Sequence, residues 1–180
     1  MRDPLPKLRL IRAAPHPLEN GIARVLDRNI QEMLIDLQKN VGFKYVKFHG
    51  ILSDDMMVVS RVGQELRFTY TLVDQVLDFL LSIGLKPLIQ LSFMPKELAA
   101  DPDKTICYCP FITSPPADMK EWDSLIDDFT RHLISRYTLE EVKQWPFTCC
   151  GMSLVTSKED VLDLEMMLYF SDFISIPMTP

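Results

Sequence analysis

A chain of 180 residues, 47% hydrophobic and 24% charged, is long enough for one domain with a real core. Its net charge of −6 and pI near 5.0 exclude the basic face that a nucleic-acid partner requires. No stretch approaches the roughly eighteen consecutive apolar residues of a membrane span, and residues 1–21 lack the apolar run of a secretory leader. The expectation is a cytoplasmic protein with neither a membrane nor a nucleic-acid partner.

In chain order, residues 7–12 (KLRLIR) alternate apolar and basic and predict a first strand, which Pro15 and Pro17 close. Ile22, Val25, Leu26, Ile30, Met33, Leu34 and Leu37 recur at helical spacing, with Gly42 where a left-handed cap belongs. They predict an amphipathic helix of about five turns feeding a strand over Lys44–His49. Residues 51–68 show little periodicity and read as a long loop of the kind that carries function. Thr71 is placed to cap a helix whose buried stripe is Leu72, Val73, Val76, Leu77, Leu80 and Leu81, with Gly84 ending it. Residues 85–93 (LKPLIQLSF) are a continuous apolar run with one amide, Gln90, suited to a strand buried on both faces.

A second long loop, 95–117, carries Cys107, Tyr108 and Cys109. Asp118 with Glu121 three residues on is a capping-box start for a helix faced by Trp122, Leu125, Ile126, Phe129, Leu133 and Ile134. His132 reads as a surface residue of that helix. A helical turn, LEEVKQW, leads to a further strand at Phe147. Strand and helix in alternation predict a parallel sheet with right-handed crossovers. Long loops after successive strands favour an α/β barrel with its site at the strands' C-terminal ends.

The four cysteines form two close pairs, Cys107/Cys109 and Cys149/Cys150. That is no disulfide framework and suits a reducing compartment. The spacing is not that of a zinc site, so no metal and no cofactor are expected. Chemistry at these thiols is the competing enzymatic reading, and thiol alkylation would abolish it.

Three long stretches, FKYVKFHGILSDDM, FTYTLVDQVLDFLLSIGLKPLIQLSFMPKELA and SPPADMKEWDSLIDDFTRHLISRYTLEEVKQWPF, together resemble glycoside hydrolase family 39, above all its bacterial β-xylosidases and more distantly the α-L-iduronidases. The resemblance covers about residues 20–147. It implies a (β/α)8 TIM barrel and a retaining mechanism with two carboxyl groups about 5–5.5 Å apart, acting on a xyloside or a related carbohydrate. It also implies that His49 contacts the sugar once the barrel closes; without it, a lone His at a strand end is ordinarily structural. Asp54 and Asp55 match the family's SDD loop, where capping of backbone N–H groups is the expected role. Gln90 stands where the family usually has Glu. Tyr108 lies in a loop that walls the family's sugar pocket.

The resemblance breaks after Phe147. The family continues into Trp-Asn-Glu-Pro, whose Glu is the acid/base, and its nucleophile Glu lies on a much later strand. This chain reads Thr148-Cys149-Cys150-Gly151-Met152-Ser153-Leu154. No residue of the chain is therefore assigned as catalytic. The codons TGT, GGA, ATG, AGC and CTN are allowed for Cys150 to Leu154. Read from the third base of the Cys150 codon, they give TGG AAT GAG CCT, which is Trp-Asn-Glu-Pro. The same frame permits Tyr-Lys across Phe173 to Ser175. A frame-shifted tail, a truncated gene, a splice variant and a sequencing error all fit this pattern. The tail holds one lysine against five carboxylates and a nearly continuous apolar run, Val161–Phe170.

The expected organisation is residues 1–147 as roughly the first half of an incomplete barrel and 148–180 as a divergent tail without homology to it. The expected function is that of a β-xylosidase-like glycosidase fragment, inactive because both catalytic Glu are missing. The alternative is a non-catalytic carbohydrate-binding or oligomerising pseudoenzyme. A part-barrel also exposes an unpaired sheet edge suited to self-association and is expected to leave apolar area uncovered.

Overall fold

Four parallel strands in the order β1-β2-β5-β6 form the main sheet. They are β1 (Leu10–Arg12), β2 (Tyr45–Phe48), β5 (Lys86–Leu91) and β6 (Phe147–Cys149). A separate antiparallel hairpin pairs β3 (Val59–Val62) with β4 (Glu65–Phe68). The computed structural model of the chain describes residues 10–12, 21–105 and 111–149. The expected first strand is present as Leu10–Arg12, and residues 7–9 lie outside the described part.

Side-chain alternation gives the sheet two unlike faces. Val46, Phe48, Ile89 and Leu91 point one way and are buried. They share a core with Ile30 and Leu34 of α1 (Arg28–Val41), Val73, Val76, Leu77 and Leu80 of α2 (Thr71–Ser82), and Leu125, Phe129 and Leu133 of α3 (Met119–Tyr137). The other face includes Tyr45, Lys47, Lys86, Leu88, Gln90 and Thr148, by the register Tyr45 opposite Lys86, Lys47 opposite Leu88 and Gln90 opposite Thr148.

Pro87 sits inside β5, where a proline would normally break the ladder. β6 starts only at Phe147, opposite Ile89, and the Ile89 N–H donates to the Pro146 carbonyl at 2.9 Å. The amide position of Pro87 therefore faces the part of the edge that β6 does not reach, and no ladder bond is lost.

The single long helix expected over 22–37 is two elements. A 3-10 turn, Ile22–Leu26, stops at Asp27, whose extended backbone and side chain cap α1 by accepting the Asn29 N–H at 2.8 Å. Gly42, at φ 69°, ends α1 as expected. Thr71 is the first residue of α2 and not its cap; Tyr70 holds the cap position without a side-chain bond. Asp118 does cap α3, accepting the Lys120 N–H at 2.8 Å. Glu121 turns elsewhere. α4 (Leu139–Val142) leads into β6.

The stretch 51–68 is not an irregular loop. It holds a 3-10 turn, Asp54–Met56, and the hairpin, whose tight turn uses Gly63 at φ 65°. Arg61 of β3 fastens the hairpin to α3 through both Glu121 oxygens (3.1 and 2.8 Å), and also donates to the Glu97 carbonyl at 3.1 Å. α2 and its entry residue meet α3 through two ladders of four-residue spacing. Tyr70 donates to Asp128 at 2.7 Å, His132 Nε2 lies 2.7 Å from Asp74, and Arg136 donates to Asp78 at 2.5 Å. His132 is thus half-buried, stacked on Tyr70 with ring centres 4.5 Å apart; the reading of it as a plain surface residue is corrected. An isolated helix face shows only its own periodicity, not the neighbour that covers it.

Candidate functional site

All strands of the main sheet run the same way, so the segments after β1, β2 and β5 gather at one end. Gly21–Ile22, His49–Ser53 and Ser92–Met94 are stitched together there. The Ile22 N–H donates to the His49 carbonyl (3.2 Å), and the Leu52 N–H to the Ser92 carbonyl (2.9 Å). Two buried serines cross over between the second and third segments. Ser92 Oγ accepts the Gly50 N–H at 3.2 Å, and Ser53 Oγ accepts the Phe93 N–H at 3.3 Å. The Ser92–Phe93 peptide is cis. Gly50 has φ 84°, and a Cβ there would lie 3.0 Å from Ser53 Oγ and 3.5 Å from Gly21 Cα. Only glycine allows this close approach.

His49 is the half-buried centre of this end. Phe93 and Phe111 meet its ring edge-on, with centres 5.4 and 5.9 Å away, and stack on each other at 4.6 Å. Its Nδ1 is buried and has no hydrogen-bond partner among the described residues. Burial, and secondarily the Lys47 ammonium two residues back, hold its pKa below 6.5. A neutral imidazole in an aromatic slot can exchange hydrogen bonds with a hydroxyl-rich ligand while the rings pack its apolar faces. Asp54 caps a loop as expected, accepting the Lys96 N–H at 3.0 Å. Asp55 is solvent-exposed, and partial desolvation is the first cause that raises its pKa.

Of the other sequence candidates, Gln90 is buried on the second face of the sheet, in register with Thr148. Cys107, Tyr108, Cys109 and Cys150 lie outside the described residues. Among the described residues no cluster of three His, Cys, Asp or Glu could hold a metal ion, and no helix is long and apolar enough to cross a membrane. The sequence reading missed Ser53, Ser92, Phe93 and Phe111. Ser92 and Phe93 were visible as the end of the second apolar run, but the contacts of Phe111 arise from tertiary folding alone.

Residues 19–151 match the family model described as Glycosyl hydrolases family 39. The chain belongs to that family. A family relative, the β-xylosidase of Caldicellulosiruptor saccharolyticus, is 43% identical over 118 residues, which are 65% of this chain and 24% of that protein. The β-xylosidase of Geobacillus stearothermophilus is 36% identical over 115 residues, 62% of this chain and 23% of that one. Among solved structures, a family 39 β-xylosidase from Caulobacter crescentus superposes with a TM-score of 0.72 at 30% identity, covering 85% of this chain and 35% of that one. A family 39 enzyme from Xanthomonas axonopodis pv. citri gives 0.66 at 33% identity over 69% of this chain and 24% of that one. The chain spans about a quarter of the length of the curated relatives it matches. These structural neighbours belong to a (β/α)8-barrel family, and the mixed α/β fold with parallel strands agrees with that. The family match stops at residue 151, four residues beyond the Phe147 at which the sequence resemblance breaks.

Proposed function

We propose that this chain is the first part of the catalytic barrel of a retaining β-xylosidase-like glycosidase, with His49 as a sugar contact. On this reading it does not hydrolyse glycosides by itself. The carrying observation is the coincidence of three facts. The family match runs through the strand–helix units up to residue 151. It covers only about a quarter of the curated relatives. The sequence after Phe147 replaces the acid/base motif with Thr148-Cys149-Cys150-Gly151. β6 runs parallel to β5, so its C-terminal end at Cys149 lies at the same end of the sheet as His49.

The reaction needs one carboxylic acid to protonate the leaving oxygen and one carboxylate to attack the sugar carbon. His49 supplies neither. It is held neutral, and its role is to bind a sugar hydroxyl. The division at 147/148 rests on the same motif, with residues 148–180 as a tail translated in a shifted frame. Reading the gene from the Phe147 codon onward in all three frames tests this. The expected result is a frame giving Trp-Asn-Glu-Pro and then further strand–helix units. Three frames without that motif would overturn the frame-shift account.

A further inference from the structure

Two peptide planes at the strand ends are held at both of their polar atoms, and they carry two of the rings that meet in the slot. In the His49–Gly50 plane, the His49 carbonyl accepts the Ile22 N–H at 3.2 Å and the Gly50 N–H donates to Ser92 Oγ at 3.2 Å. In the Ser92–Phe93 plane, the Ser92 carbonyl accepts the Leu52 N–H at 2.9 Å and the Phe93 N–H donates to Ser53 Oγ at 3.3 Å. Each loop thus lends a hydroxyl to the plane of the other. Ser92 is 3% exposed and Ser53 4%, so bulk water does not compete for these bonds. The Ser92 hydroxyl donates its own proton to the Gln90 carbonyl at 3.3 Å, which leaves its lone pairs for Gly50. A hydroxyl inside the apolar run 88–93 (LIQLSF) costs free energy unless its bonds are made. Here they are made to the residue that follows His49.

We infer that Ser92 and Ser53 are positioning residues for His49: their hydroxyls lock the two peptide planes from which the imidazole and the Phe93 ring project, and so set how the two rings meet. A peptide unit is planar, so pinning both its carbonyl and its N–H fixes the torsions on either side of it. For the first plane these are ψ of His49 and φ of Gly50. The imidazole keeps only its own side-chain torsions. Phe93 at 5.4 Å and Phe111 at 5.9 Å, stacked on each other, narrow those in turn. Both serines act on the ring through the backbone. Losing either hydroxyl leaves a buried amide without its acceptor, and the plane beside a ring is then free to tilt. That the held imidazole serves a sugar rests on the function proposed above; the clamp itself does not.

The test is NMR on the isotope-labelled 180-residue chain, with two readouts: the titration midpoint of the His49 imidazole, and the NOE contacts of its ring with Phe93 and Phe111. In the unaltered chain burial keeps the midpoint below 6.5, and both ring contacts are present. S92A and S53A should each move the midpoint up toward 6.5 and lose the contact with Phe93. S92C keeps the size of the side chain with a weaker acceptor and should fall between S92A and the unaltered chain. S53A and S92C carry the same test should S92A not fold. L133V, a core cut in the last turns of α3, is the control for stability alone. It should lower the urea midpoint and leave both His49 readouts in place. Serine variants that behave like L133V, less stable but with the His49 titration and ring contacts unchanged, would overturn the positioning role. No sugar enters this experiment, so its failure leaves the sugar-contact reading standing, and a failure of that reading leaves the clamp standing.

Discussion

At the scale of single residues, His49 gathers the consequences. Its folded pKa lies below 6.5, so the unfolded chain takes up a proton first as the pH falls. The stability tied to its neutral form is full above pH 6.5 and is lost as the pH drops through the lower folded value. Urea midpoints between pH 7.5 and 5 should therefore fall, and H49N should flatten that part of the profile. An imidazole titration by NMR with a midpoint at or above 6.5 would contradict the burial argument. G50A should destabilise by about 1–3 kcal/mol, since it combines a left-handed backbone with a Cβ 3.0 Å from Ser53 Oγ. The denaturation midpoint checks this. His49 was legible in the sequence because it ends an apolar run. Its slot was not, because Phe111 reaches it from 62 residues away and the unpaired Nδ1 is a fact of packing.

At the scale of elements, periodicity located the parallel strands and helices, and failed where local chemistry competed with it. Asp27 interrupts the apolar spacing of 22–37 by capping, a signal present in the sequence and outweighed there by the stripe. D27A should cost about 1 kcal/mol and loosen the break between the 3-10 turn and α1, read by thermal unfolding and helical circular dichroism. The hairpin was also written in the chain, as two alternating runs about Gly63-Gln64, but charged residues on its exposed positions masked the pattern. Its clamp, Arg61 to Glu121, is roughly a quarter to a third exposed. R61A should therefore destabilise the fold only modestly and lose less in high salt, read by urea midpoints. A much larger loss would mean that the hairpin is a cooperative part of the core.

At the scale of the molecule, a four-stranded parallel sheet covered by helices on one face is joined to a family that uses such units to build a closed barrel. The family was legible because long motifs agree in order. The relation of this sheet to a closed barrel was not, because the match covers only about a quarter of the curated relatives. The most direct test is hydrolysis of an aryl β-xyloside by the 180-residue chain and by the same gene with the frame after Phe147 restored. The account predicts no turnover by the 180-residue chain and turnover by the restored one. Hydrolysis by the 180-residue chain that is lost on H49A would contradict it.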